Sequence, residues 1–302
     1  MNLSAPVLLL VDPALAPPLL DALQRQAPGL PVLAYSRTLD DATLAGVAVA
    51  LGWRFPPGLA GRLPALRWVC SIAAGVEKLL VPELPAHVAV SRMVDPDQAL
   101  GIAQYVAAVV LRQVRGLAAY DSLQQQRAWQ RQPMAAARHR VAVLGWGEVG
   151  REIGRVLAAL GFEVTGWRRS SEALAGLLAG HEIVVNALPL TPQTAGLLDA
   201  AAFAAMPRGA FFVNIARGGH LVEADLIAAV QSGHLAGAAL DVQAVEPMAA
   251  DDPLWAVPGI RITPHIAAQS SPEVVVAQFL ASLARVQRGQ PPLNPVDREA
   301  GF

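Results

Sequence analysis

Val141-Ala142-Val143-Leu144-Gly145-Trp146-Gly147-Glu148-Val149-Gly150 carries the strongest fold signal in the chain. Four apolar residues run directly into Gly-x-Gly-x-x-Gly. Glu148 to Leu160 then reads as a helix, and Glu163 to Trp167 as a second strand. Each glycine has a physical task. Gly145 permits a tight turn, Gly147 lets the backbone approach a pyrophosphate, and Gly150 allows close helix–strand contact. Free N–H groups at the helix start, Glu148 and Val149 among them, would hold the anion with help from the helix dipole. Such a glycine trio alone fits any turn in an α/β protein. Strand, helix and second strand in their required places make this one a dinucleotide site.

Working outward, short apolar runs alternate with helical patterns along the whole chain. The strands expected are Val7–Val11, Val47–Leu51, Leu66–Ile72, Val88–Arg92, Arg140–Gly145, Glu163–Trp167, Ile183–Leu188, Ala210–Ile215, Ala236–Asp241 and Arg261–Thr263. Several are apolar on both faces, as strands covered by helices on two sides must be. The β-α-β-α order predicts two doubly wound parallel-sheet α/β domains, Rossmann-like or flavodoxin-like, with a cleft between them. Residues 97–265 form the dinucleotide-binding domain. Residues 1–96 and 266–302 form a second, substrate-binding domain, with hinges near Pro96 and His265. Gln98 to Gln126 reads as one long helix with apolar residues on more than one face: Ile102, Tyr105, Val106, Val109, Val110, Val114 and Leu117. That surplus predicts a homodimer. Glu273 to Arg288 reads as a helix opened by Ser271-Pro272 and closed by Gly289.

Composition narrows the function classes. The 302 residues are 54% hydrophobic and 16% charged, with a net charge of −1, so no strong field exists to hold nucleic acid or an anionic membrane. The single cysteine, Cys70, lies in an apolar run and reads as a small buried hydrophobe. One thiol forms no internal disulfide, which fits a cytoplasmic enzyme. The apolar start has no basic flank and is broken by Asp12, so it reads as a strand rather than a signal peptide. No Cys/His spacing suits a metal, and none is expected.

The end of the second strand selects the cofactor. An acid there accepts from the ribose hydroxyls of NADH. This chain instead carries Trp167-Arg168-Arg169-Ser170. Two guanidinium groups and a hydroxyl suit a 2′-phosphate, which favours NADPH over NADH.

Three polar residues follow later strands: Arg217 in Asn214-Ile215-Ala216-Arg217, Glu246 just beyond Leu240-Asp241-Val242, and His265 in Thr263-Pro264-His265. Open parallel sheets bind ligands beyond the carboxyl ends of their strands. A guanidinium can hold a carboxylate and polarise a ketone, a histidine can protonate the nascent alkoxide, and a carboxylate beside it would favour the imidazolium. Singly, His265 reads as a loop residue, Glu246 as a surface turn, and Arg217 as a carbonyl cap or a partner of Asp241. Their order behind a dinucleotide motif favours the catalytic set.

Together these residues resemble the D-isomer-specific 2-hydroxyacid dehydrogenases, and within them the glyoxylate/hydroxypyruvate reductase A subgroup. The matching stretches are Gly145–Gly150, Asn186 to Thr191, Asn214–Gly218, Leu240–Val242 with Glu246-Pro247, and Thr263-Pro264-His265. Leu51-Gly52-Trp53, Ala73 to Glu77 and Pro253-Leu254-Trp255 also match. The resemblance implies that Arg217 binds substrate and that His265 donates the proton with Glu246 as its partner. It implies that Ala74, Gly75 and Val76 offer backbone N–H groups to the substrate carboxylate. Trp53 would line the substrate pocket, although it reads equally as a core aromatic. Leu188 and Pro189 would flank the adenosine. Ile215, Ala216 and Asp241 would lie by the nicotinamide, with Asp241 accepting from its carboxamide. The expected activity is reduction of a small 2-keto acid, such as glyoxylate or hydroxypyruvate, to the D-2-hydroxy acid. The alternatives are a larger 2-keto acid, or a binding protein that senses NAD(P)H on the same fold. Departures from the pattern are Ala73, Glu77, Gln104 and the run Gln269-Ser270-Ser271. The last stands where an arginine is common, which implies a shifted substrate preference.

Overall fold

The computed structural model describes residues 6–133, 139–168 and 173–301. The chain divides into two compact units, Met1–Asp95 with Ser270–Phe302, and Pro96–Gln269.

The first unit is built on β1 (Val7–Leu10), β2 (Val32–Ala34), β3 (Val49–Gly52), β4 (Trp68–Ser71) and β5 (Ala89–Ser91). They form a parallel sheet in the order β2-β1-β3-β4-β5. β1 shows why its sequence is apolar throughout. Val7 and Leu9 enter one core, with Leu23, Trp68 and Phe279; Leu8 and Leu10 enter the other, with Leu44, Phe55 and Val69. Side chains alternate across a strand, so burial of both faces removes the polar alternation. The helices are α1 (Ala16–Gln26), α2 (Asp41–Ala45) and, returning from the C-terminus, α9 (Pro272–Gln287). α9 starts where the sequence says: Ser271 caps Val274 N–H, and Pro272 occupies the first turn. It ends at Gly289, whose φ of 75° is the left-handed conformation that favours glycine. Trp68 of β4 stacks on Phe279 of α9 at 5.3 Å between ring centroids. β2 is absent from the sequence reading because it has three residues, lies at the edge and is only half-buried or exposed. Cys70 is buried; desolvation pushes its thiol up to about 12, so it is neutral and no nucleophile.

The second unit holds β6 (Arg140–Leu144), β7 (Glu163–Trp167), β8 (Ile183–Asn186), β9 (Ala210–Asn214), β10 (Leu235–Leu240) and β11 (Ile260–Ile262). All are parallel, in the order β11-β10-β9-β8-β6-β7. Successive crossovers reverse direction at β6, so the glycine turn leaves the sheet at its switch point. One face is covered by α3 (Pro96–Val114) and α5 (Glu148–Ala159), which share a core with Val141, Val143, Val185 and Val213. The opposite core joins Leu144, Phe212 and Leu240 to α6 (Leu174–Ala179), α7 (Ala200–Ala205) and α8 (Glu223–Gln231).

The expected single helix over Gln98–Gln126 is corrected. It is two helices, α3 and α4 (Leu117–Gln125), broken at Gly116, which takes a φ of 62°. A left-handed residue cannot continue a right-handed helix. Val106, Val109 and Val110 are buried inside the unit's own core, so much of the apolar surplus on α3 is used there. Among the described residues, no helix is long and apolar enough to cross a membrane.

Candidate active site

The glycine turn has the shape a pyrophosphate needs. Gly145 has a φ of 99°, and a Cβ there would lie 2.4 Å from the carbonyl oxygen of Ala187. A Cβ on Gly150 would fall 1.9 Å from the Gly145 oxygen. Gly147, the N-cap of α5, is exposed with open space at its Cβ position. No side chain caps α5, so its first N–H groups point into that space. The Trp146 indole is slotted against two further glycines. A Cβ would meet the ring at 2.3 Å on Gly154 and 2.0 Å on Gly166. The loop therefore fits the dinucleotide it was read for.

Trp167 ends β7 buried, and Arg168 follows it exposed, with Nη2 donating to the Trp146 carbonyl at 3.1 Å. Arg168 thus lies at the mouth of the glycine turn. Arg169 and Ser170 lie outside the described residues.

The ends of β8 and β9 are tied together by two buried asparagines. Asn186 Nδ2 donates to Asn214 Oδ1 at 3.0 Å. Asn186 Oδ1 accepts the Leu188 N–H at 3.2 Å, and Asn214 Oδ1 accepts the Ala216 N–H at 3.2 Å. Asn214 Nδ2 donates to the Arg217 carbonyl at 3.1 Å. This pair shapes the turns that carry Leu188 and Pro189 on one side and Ile215, Ala216 and Arg217 on the other. The Arg217 Nη1 folds back onto the Ala216 carbonyl at 2.7 Å, so the carbonyl-cap reading of this side chain also holds.

Asp241, at the end of β10, is 1% exposed and holds the loop that follows β11. Its Oδ1 accepts from Thr263 Oγ1 at 2.6 Å and from the Ile266 N–H at 2.9 Å; Oδ2 accepts from the Ala267 N–H at 2.8 Å. Its carbonyl accepts the His265 N–H at 2.8 Å. Tyr105 of α3 adds its hydroxyl to Thr263 at 2.7 Å. These bonds hold His265 at a φ of 56°, a strained backbone for a residue with a side chain. Three donors leave the carboxylate one lone-pair direction on Oδ2 for a further donor.

The loop presents the His265 ring to Glu246: Nδ1 lies 3.0 Å from Oε2, with both side chains about one-third exposed (34% and 28%). The other carboxylate oxygen accepts the Gln243 N–H at 3.1 Å, which fixes the acid in turn. Arg217, Glu246 and His265 follow β9, β10 and β11, three neighbours in one sheet, at the same carboxyl edge. Among the described residues, no group of three His, Cys, Asp or Glu side chains could hold a metal ion.

A family model for the D-isomer specific 2-hydroxyacid dehydrogenase NAD binding domain matches residues 107–267. The glyoxylate/hydroxypyruvate reductase A of Yersinia enterocolitica is 36% identical over 274 residues, covering 84% of this chain and 87% of that one. The chain belongs to the D-isomer-specific 2-hydroxyacid dehydrogenases. Two solved dehydrogenases of this family are similar over nearly their whole lengths. One, from Xanthobacter autotrophicus Py2 in complex with NADPH and MES, is 37% identical with a TM-score of 0.88, covering 99% of this chain and 100% of that one. The other is a NADPH-dependent glyoxylate/hydroxypyruvate reductase from Sinorhizobium meliloti in complex with NADP and sulfate. It is 32% identical with a TM-score of 0.90 and the same coverage.

The first unit carries the remaining expected residues of this dehydrogenase. Trp53 follows β3 half-buried, and the Lys78 ammonium lies 5.1 Å from the centre of its ring. In the turn after β4, Ser71 Oγ donates to the Gly75 carbonyl at 2.9 Å and accepts the Ala73 N–H at 3.1 Å. The N–H groups of Ala74, Gly75 and Val76 find no acceptor among the described residues. Consecutive free N–H groups make an anion-binding concavity. Sequence reasoning missed Asn186, Asn214, Thr263 and Tyr105 as site residues. The two asparagines had a signal: a polar residue closing an otherwise apolar strand.

Proposed function

We propose that this chain reduces a small 2-keto acid to the D-2-hydroxy acid with NADPH. The observation that carries this is the His265–Glu246 pair at 3.0 Å, at the same sheet edge as Arg217 and the glycine turn. When bound, the reduced nicotinamide supplies the hydride. Arg217 holds the substrate carboxylate and draws electron density from the ketone oxygen. His265 uses Nδ1 on Glu246, so Nε2–H is the proton it gives to the developing alkoxide. Ala74, Gly75 and Val76 receive the carboxylate through their N–H groups, and Trp53 lines the pocket. Gly145, Gly147, Glu148, Val149 and Gly150 hold the pyrophosphate. Leu188, Pro189, Ile215, Ala216 and Trp167 pack against the dinucleotide, and the remaining lone pair of Asp241 accepts from the carboxamide. Residues 1–96 and 266–302 are the substrate-binding part, and 97–265 the dinucleotide-binding part. The relatives named for glyoxylate and hydroxypyruvate support small acids as substrates. Offering NADPH with glyoxylate, hydroxypyruvate, pyruvate and phenylpyruvate tests this: turnover of phenylpyruvate alone would overturn the small-acid assignment.

Arg168, Arg169 and Ser170 receive the 2′-phosphate. Replacing both arginines with alanine raises the KM for NADPH by about a hundredfold, since each charge-assisted contact contributes about 1.5 kcal/mol. NADH changes little. Steady-state kinetics with each cofactor checks this, and equal losses on both would refute it.

The working form is a cytoplasmic homodimer. Leu117 and Tyr120 of α4 are 45% and 38% exposed, and Trp129 after it is fully exposed. Such an apolar run suits an interface. Sedimentation should give twice the 31.7 kDa chain mass. A single-chain mass would contradict it.

A further inference from the structure

Gly101 and Tyr105 lie four residues apart on α3, and so share one face of that helix. That face meets both ends of the segment that carries His265. The Tyr105 hydroxyl lies 2.7 Å from Thr263 Oγ1, two residues before His265. A Cβ on Gly101 would fall 2.9 Å from the Cβ of Ala268, three residues after it. Glycine weakens a helix interior, and this close approach gives a reason for one here. Between the two contacts, Tyr105 and Ala267 pack against the same core as Val106 and Val110.

The hydroxyls at the first contact form a directed chain. Asp241 accepts from three donors, as a carboxylate does, so Thr263 Oγ1 gives its one hydrogen to Asp241 Oδ1 at 2.6 Å. Tyr105 must then be the donor to Thr263. Partial burial pushes the Tyr105 hydroxyl above its ordinary value, and the Asp241 charge acts in the same direction, so it keeps the proton this chain requires. A hydroxyl that accepts a hydrogen bond becomes a stronger donor, so Tyr105 strengthens the Thr263 bond to the carboxylate. At the far end of the chain, Asp241 holds the Ile266 and Ala267 N–H groups at 2.9 and 2.8 Å.

We propose that the Gly101–Tyr105 face of α3 is the seat of the His265 loop, and that Tyr105 is a positioning residue for the proton transfer. Its hydroxyl orients Asp241 through Thr263, and Asp241 fixes the main chain just after His265. Gly101 lets the helix approach the far end of the same segment. Both residues act through His265, so the catalytic part of the proposal rests on the reading of His265 as the proton donor.

Two measurements test this. Amide hydrogen exchange reads the hold on the loop without any turnover. In Tyr105→Phe, which removes only the hydroxyl, the Ile266 and Ala267 N–H groups should exchange about three- to tenfold faster, the share of one ordinary hydrogen bond. The amides of β8 and β9 should keep their wild-type rates. Unchanged exchange at Ile266 and Ala267, or equal acceleration throughout the unit, would overturn the proposal. Kinetics then reads the positioning. Tyr105→Phe should lower kcat for 2-keto acid reduction about three- to tenfold in the wild type, and by less than about twofold in a His265→Asn background, where no proton donor is left to position. Gly101→Ala, which displaces Ala268, should show the same loss of effect in that background. Equal losses in both backgrounds would refute the positioning role. A wild type that turns over no 2-keto acid would remove the reading of His265 and that role with it, while the exchange rates still decide whether α3 seats the loop.

Discussion

Arg217→Lys lowers kcat/KM for the 2-keto acid by about a hundred- to a thousandfold, the usual loss when a preorganised donor to a developing oxyanion is removed. Lysine keeps the charge, so an effect of this size isolates the planar fork. A guanidinium meets two oxygens at fixed spacing, whereas an ammonium is a compact point charge. The main chain of the loop loses only the Nη1 bond to the Ala216 carbonyl. It is held by Asn214 Nδ2 on the Arg217 carbonyl and by the Ala216 N–H on Asn214 Oδ1, neither of which involves the side chain. NADPH affinity, read by fluorescence titration, should therefore change by less than about threefold, well under 1 kcal/mol. Equal losses in substrate turnover and cofactor affinity would show that Arg217 shapes the cofactor site instead.

His265→Asn lowers kcat for reduction by about a hundred- to ten-thousandfold, the contribution of a positioned general acid. Asparagine is the informative replacement because the site holds residue 265 at a φ of 56°, which asparagine tolerates better than most residues. The Asp241 bonds to the loop use main-chain groups of residues 265, 266 and 267, so they persist in the variant. Melting temperature should stay near that of the wild type, and the loss is then chemical. Glu246→Gln should cost less, since an amide oxygen can still accept from Nδ1 but no longer stabilises the imidazolium as a charge. If Glu246→Gln proves as damaging as His265→Asn, the carboxylate carries the proton and the roles must be exchanged.

Where strands are buried on both faces, the sequence was readable to within a residue or two. Val7 to Leu10 and Val141 to Leu144 are apolar without interruption because helices cover both sides of each sheet. The glycine turn was equally plain, since Gly145 and Gly150 are forced by contacts with backbone that no side chain could survive. The break at Gly116 was hidden because a single glycine inside a helical pattern costs only about 1 kcal/mol and does not itself announce a stop. The edge strand Val32–Ala34 is too short to show a period. In the site, the three polar residues beyond β9, β10 and β11 were legible from their places after strands. Their supports were not. His220 reads as a loop or helix-end residue in sequence, yet the turn buries it, with its ring against the Pro189 carbonyl. Asp241 closes an apolar strand, as a ligand-facing residue would. The structure spends most of its acceptor capacity on the loop that carries His265.

The NADPH-dependent reduction is tested most directly by giving the purified chain NADPH and hydroxypyruvate, following loss of the reduced-nicotinamide absorbance, and resolving the enantiomers of the product. NADPH consumption should be matched by formation of the D-hydroxy acid and should run faster than with NADH. Tight NADPH binding without turnover of any 2-keto acid, or formation of the L-enantiomer, would contradict it.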